Sequence, residues 1–179
     1  MTKFVALVRG INVGGKTKVP MADLKQLFAD LGYSDISTYI NSGNVFFSTR
    51  ARSRDRICAA VERSIVDKTG VSTKVVLRTP AELQTVIAGN PLAGKGLEVG
   101  HLAVTFLNGA PAADSAKALA RIPGDDEFVL TGSDLYLHCP AGFAETKMTV
   151  GAIERAVGGL TATTRNWRTV TKLAALSAS

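Results

Sequence analysis

Cysteine is nearly absent from this chain of 179 residues: there are two, Cys58 and Cys139, and neither belongs to a CxxC pair. Only two histidines, His101 and His138, could join them. That spacing excludes the usual zinc motifs and a disulfide framework, so no metal is expected. Aromatic residues make up only 6% of the chain, with a single tryptophan. No apolar run approaches membrane-spanning length, and no signal-like segment precedes the first apolar run, so a cytoplasmic protein with no membrane partner is expected. No Ser–His–Asp arrangement and no cluster of carboxylates is legible. His138 stands beside Cys139, but nothing in the sequence activates that thiol. Glu154 falls inside a helical pattern and is expected to be solvated.

What is present is ordinary globular composition with a basic excess. Apolar residues make up 46%, charged residues 20%, and the net charge is +6. A core of this size holds without staples. The charge is compatible with an acidic partner, either an anionic small molecule or a nucleic acid, and equally with a merely basic solvated surface. Much of the excess lies in the run Arg50-Ala-Arg-Ser-Arg-Asp-Arg56, which reads as a solvated helix start.

The segment Arg9-Gly-Ile-Asn-Val-Gly-Gly-Lys-Thr-Lys18 carries the most chemistry. It follows the apolar run Phe4 to Val8 and precedes a helix beginning near Pro20. Gly14 and Gly15 free backbone amides, and Lys16 and Lys18 add charge, as an anion-binding loop requires. The spacing is neither that of a P-loop nor that of a dinucleotide fingerprint. The competing reading is an unusual turn, with Asn12 bonding locally.

Hydrophobic spacing predicts strands over Phe4–Val8, Ile36–Ile40, Val45–Ser48 and Thr73–Leu77. Helices are expected over Met21–Leu31 and Ser53–Thr69, with Ser53 as cap and Gly70 as stop. A connecting helix should span Pro80–Ala88. The second half repeats the order, with strands over His101–Leu107, Glu127–Leu130, Leu135–His138 and Leu160–Thr164. Its helices are expected over Pro111–Ala120, Thr149–Val157 and Asn166–Leu176. The expected fold class is therefore α+β: two ferredoxin-like βαββαβ units packed together by internal duplication. The expected domains are 1–79, a connecting helix and loop over 80–98, and 99–179.

That topology makes a geometric prediction. The first and second strands of such a unit run parallel, so their C-terminal ends share one sheet edge. The glycine loop and the turn Asn41-Ser42-Gly43-Asn44 should meet there. In the second unit, the segment Cys139–Met148, which carries Lys147, should emerge beside Arg165, Asn166 and Trp167. Arg165 offers a bidentate contact to an anion and Trp167 a stacking face. The alternatives are that Trp167 fills the interface between the units and that Asn166 caps the last helix.

The stretches Val8-Arg-Gly-Ile-Asn-Val-Gly-Gly-Lys16, Lys18-Val-Pro-Met21, Asn41-Ser-Gly-Asn-Val45 and Thr163-Thr-Arg-Asn-Trp167 with Thr169-Val-Thr-Lys-Leu173 resemble a bacterial family known only as a domain of unknown function. Its signatures read approximately LLRGINVGGKNKVPM and TTRNWNTVTKL. The resemblance covers nearly the whole chain and implies a duplicated ferredoxin-like fold, without an activity. Members carry a basic residue and a serine before the position of Lys147. Here Glu145 and Thr146 stand there, and Arg168 replaces an asparagine.

The expected function is binding of an anionic or phosphorylated ligand, a nucleotide or small metabolite, at the glycine loop. No cofactor is implied. Nucleic acid ranks lower, because the aromatic signature of RNA-binding ferredoxin-like sheets is missing. Of the adjacent pair Phe46 and Phe47, at least one must face the core. Two alternatives stay open: a phosphate-transfer or hydrolytic enzyme using Arg9 and Asn41, and a structural or interaction protein with no ligand.

Overall fold

A computed structural model describes residues 1–179. The chain forms two compact units, Met1–Leu83 with Ser177–Ser179, and Gln84–Leu176.

The first unit runs β1 (Thr2–Val8), α1 (Met21–Asp30), β2 (Ser34–Tyr39), β3 (Asn44–Thr49), α2 (Arg54–Thr69) and β4 (Val75–Arg78). α3 (Pro80–Gly89) follows, and then a short 3-10 turn over Val99–His101. The second unit continues with β5 (Leu102–Leu107), α4 (Ser115–Ala120), β6 (Glu127–Thr131), β7 (Asp134–His138), α5 (Val150–Ala156), β8 (Ala162–Asn166) and α6 (Trp167–Ser177). The sheets have the orders β2-β3-β1-β4 and β6-β7-β5-β8, and every pairing is antiparallel. Each unit is thus a βαββαβ, ferredoxin-like sandwich.

The local causes are plain in the first unit. Pro20 presets the backbone before α1, and Leu24, Leu27 and Phe28 bury one helical stripe. Ser53 caps α2 by accepting from the Arg56 amide, and Gly70, at φ 72°, closes it with a bond to the Val66 carbonyl. Phe4, Ala6 and Val8 of β1 face the core that α1 and α2 cover. Phe47 joins that core while its neighbour Phe46 is only partly buried, as alternation along a strand demands.

The duplication extends to individual bonds. Val8 donates to the Gly43 carbonyl and Leu107 to that of Ser133, both at 2.9 Å. Arg9 then donates to Lys74, and Asn108 to Thr161. Val5 pairs with Arg78, and Val104 with Arg165. One residue further on, Thr79 and Asn166 each hold the start of the following helix, by accepting from the amides of Glu82 and Thr169.

Two elements and one side chain of the second half depart from expectation. α4 begins at Ser115 rather than Pro111, because bonds from Ser115 to Ala112 and from Lys117 to Asp114 make tight turns first. β8 begins at Ala162: Gly158 and Gly159, both left-handed, prolong the exit from α5, and the Thr161 amide is held by the Asn108 side chain. β8 consequently runs on through Asn166, so Arg165 is a strand residue rather than a loop residue. Glu154 is not simply solvated, because its Oε1 accepts from the Ala162 amide at 3.0 Å.

Candidate functional site

The glycine loop leaves β1 where the β2–β3 turn leaves β2, and the two are joined directly. The Asn12 side-chain amide donates to the Asn41 carbonyl at 2.8 Å and to the Val19 carbonyl at 2.9 Å. Its Oδ1 accepts from the Val19 amide at 2.8 Å. Asn12 itself sits at φ 58°, a left-handed conformation that asparagine tolerates well. Its backbone amide reaches Thr17, whose hydroxyl bridges both polar atoms of the Val13 backbone. Asn12 is therefore a clip that closes the loop and fastens it to the neighbouring turn.

The turn is equally constrained. A Cβ at Gly43 would lie 2.8 Å from Ile11 Cδ1 and 3.0 Å from Val8 Cβ, so only glycine lets the two segments pack this closely. Asn44 is fully buried, and its amide nitrogen donates to the Tyr39 carbonyl and to Ser42 Oγ. Ile40, a β-branched residue at φ 51°, sits strained beside Asn41.

Between these anchors the tip of the loop is open. A Cβ at Gly14 or Gly15 would touch nothing, and both residues have positive φ. Their conformation, not close packing, is what calls for glycine. The internal bonds of the loop run through Asn12, Val13, Thr17 and Val19, and leave out the amides of Gly14, Gly15 and Lys16. Val13, Lys16 and Lys18 are exposed around this tip. Arg9, at the base, is held through its carbonyl by the Thr73 hydroxyl. Residues 9–18 and 41–44 contain no histidine and no carboxylate.

The other candidate edge, in the second unit, has a different character. The registers Leu102↔His138 and Ala103↔Asn166 place the ends of β7 and β8 together. Arg165 is buried, and its Nη1 donates to Thr163 Oγ1 and to the Thr164 carbonyl, each at 3.0 Å. Burial pushes its guanidinium down to about 10, still charged at neutral pH. Asn166 Oδ1 accepts from the Thr169 amide at 2.8 Å and so starts α6. Trp167 is only 8% exposed. The Thr146 hydroxyl donates to Asp126 and accepts from the Met148 amide. Lys147 lines a shallow groove with Arg121, Thr149 and Arg155.

The thiols are quiet. Burial pushes Cys139 up to about 11 and Cys58 to about 12, where Glu62 and Asp55 add to the effect. His138 Nδ1 is buried, 3.7 Å from Glu127 and without a hydrogen bond. No group of three metal-ligating side chains occurs, and no helix is long and apolar enough to cross a membrane.

Comparison with known proteins agrees with the fold. The structure of the conserved bacterial protein SP0830 from Streptococcus pneumoniae superposes with a TM-score of 0.75 at 23% identity, covering 98% of both chains. No curated protein matches the chain. A family model described as protein of unknown function matches residues 1–136, which include the glycine loop and the Asn41–Asn44 turn. With three quarters of its length matched, carrying the N-terminal signature on a duplicated βαββαβ fold, the chain belongs to the DUF1697 family.

Proposed function

We propose that the glycine loop binds an anionic, phosphorylated ligand, a nucleotide or a small metabolite. One observation carries this reading. The loop is anchored at both ends through Asn12, yet its tip presents the amides of Gly14, Gly15 and Lys16 unused beside two exposed lysines. Consecutive backbone N–H groups in a left-handed turn form an anion-binding concavity. Fixing the ends limits the entropy lost when a ligand binds. Arg9 and Asn41 do share this edge, as phosphate transfer would need. Without a histidine or carboxylate in either segment, the arrangement favours holding an anion over moving protons.

The test is titration with inorganic pyrophosphate, followed through the amide NMR signals of Gly14, Gly15 and Lys16. Those signals should shift in a saturable, salt-sensitive way. The Lys16→Ala/Lys18→Ala variant should bind about tenfold more weakly or worse, while melting like the parent, since exposed charges contribute little to stability. Unshifted amides, or unchanged binding in the double variant, would reject the loop as the site.

A further inference from the structure

A cleft of about 580 Å³ lies in the first unit, at the opposite end of its sheet from the glycine loop. It opens where β2 begins, β3 ends and α2 makes its first turn. That volume lies within the range of small-ligand sites. Arg50 and Arg56 line it, and no carboxylate does. Their neighbour Arg54 is engaged elsewhere, with Glu82 at 2.9 Å and over the Phe4 ring. Arg50 and Arg56 have no such ion pair. Of the four arginines in the basic run that reads in sequence as a solvated helix start, Arg54 is fixed to the fold, while Arg50 and Arg56 line the cleft.

Two further observations concern the walls. Ser34 and Ser48, paired across β2 and β3, both line the cleft, and Ser34 Oγ is buried without a hydrogen-bond partner. A buried hydroxyl left unpaired calls for an explanation, and a bound ligand is one. Next to it β2 carries a bulge, with Asp35 at φ 53°. Bulges of this kind re-aim side chains beside sites. Leu31 and Tyr33 form the apolar side. The Tyr33 ring is held 4.9 Å from Phe47 and 5.9 Å from Phe28, so it is fixed before any ligand arrives.

We infer that this cleft binds a phosphate monoester with a flat, apolar body, of nucleoside monophosphate size. Arg50 and Arg56 take the phosphate as two cationic forks, Ser34 and Ser48 supply hydroxyls, and Tyr33 packs against the body. The site is independent of the glycine loop.

Adenosine 5′-monophosphate and inorganic phosphate are the probes, with calorimetry for affinity and the Ser34 and Ser48 amide NMR signals for location. The nucleotide should bind about tenfold tighter than phosphate and shift both serine signals. Arg50→Ala/Arg56→Ala should weaken it about tenfold or more without altering the melt, because both side chains are exposed. The Lys16→Ala/Lys18→Ala variant should leave the serine shifts unchanged. No binding, equal affinity for phosphate alone, or full affinity in the arginine variant would overturn the assignment. Nucleotide binding lost only in the lysine variant would overturn it too, while leaving the loop reading intact.

Discussion

Asn12 and Asn41, far apart in sequence, meet through a 2.8 Å hydrogen bond from side-chain amide to main-chain carbonyl. The same side chain makes two more bonds to Val19, so one residue sets both the shape of the glycine loop and its attachment to the next turn. Asn12→Ala removes all three bonds and places alanine in a left-handed conformation. It should destabilise the first unit by roughly 2–4 kcal/mol. Asn12→Asp keeps the acceptor and loses the donors, and should fall between that variant and the parent. Urea unfolding of the three proteins measures this, and equal midpoints would dismiss the clip.

Trp167 opens α6 with its ring almost entirely buried. Trp167→Ala should cost roughly 3–5 kcal/mol through lost burial and the cavity left behind. A stacking platform would instead leave the melt unchanged and weaken ligand binding. A thermal melt of the variant separates the two, and a melt like the parent's would refute the packing role.

The thiols give a prediction with a sign. Cys139 is raised to about 11, so at pH 8 only about one molecule in a thousand carries the thiolate. Iodoacetamide should leave the native protein unmodified at pH 8 and label both cysteines after denaturation. The folded values lie above the ordinary thiol value of 9.0, so the unfolded chain loses its thiol protons first. These groups contribute stability fully below about pH 9, and that contribution falls as the pH rises. Arg165, lowered to about 10, acts in the opposite direction only above that value. The decline is therefore read between pH 9 and 10 by denaturant titration. Rising stability there would contradict the assigned burial of both thiols.

The helices of the first unit are legible because their signals are local: helical spacing at Leu24, Leu27 and Phe28, a serine cap at Ser53, a glycine stop at Gly70. The topology alone then places the glycine loop beside Asn41. In the second half the boundaries depend on partners distant in sequence. β8 extends to Asn166 because β5 pairs with it, and nothing within Thr163-Thr-Arg-Asn-Trp167 announces a buried arginine. The internal saturation of Asn12 was equally hidden, since it depends on how the loop closes on Val19. Glu154 looked like any solvated helical glutamate, because its partner is a backbone amide that carries no sequence signal.

That glutamate has a counterpart. Glu62 Oε1 accepts from the Val75 amide at 2.9 Å, as Glu154 does from that of Ala162, and each amide belongs to the first residue of a strand that ends its sheet. A terminal strand has hydrogen-bonded neighbours in its sheet on one side only and is the easiest to slide along its partner. A slide of even one residue would exchange its inward and outward faces. The helix before the strand reaches across and grips the leading amide, so the strand has a fixed starting notch. Val75 then stays opposite Val8, and Ala162 opposite Leu107. In both units, a side chain from outside the sheet joins the backbone ladder in holding the last strand in alignment.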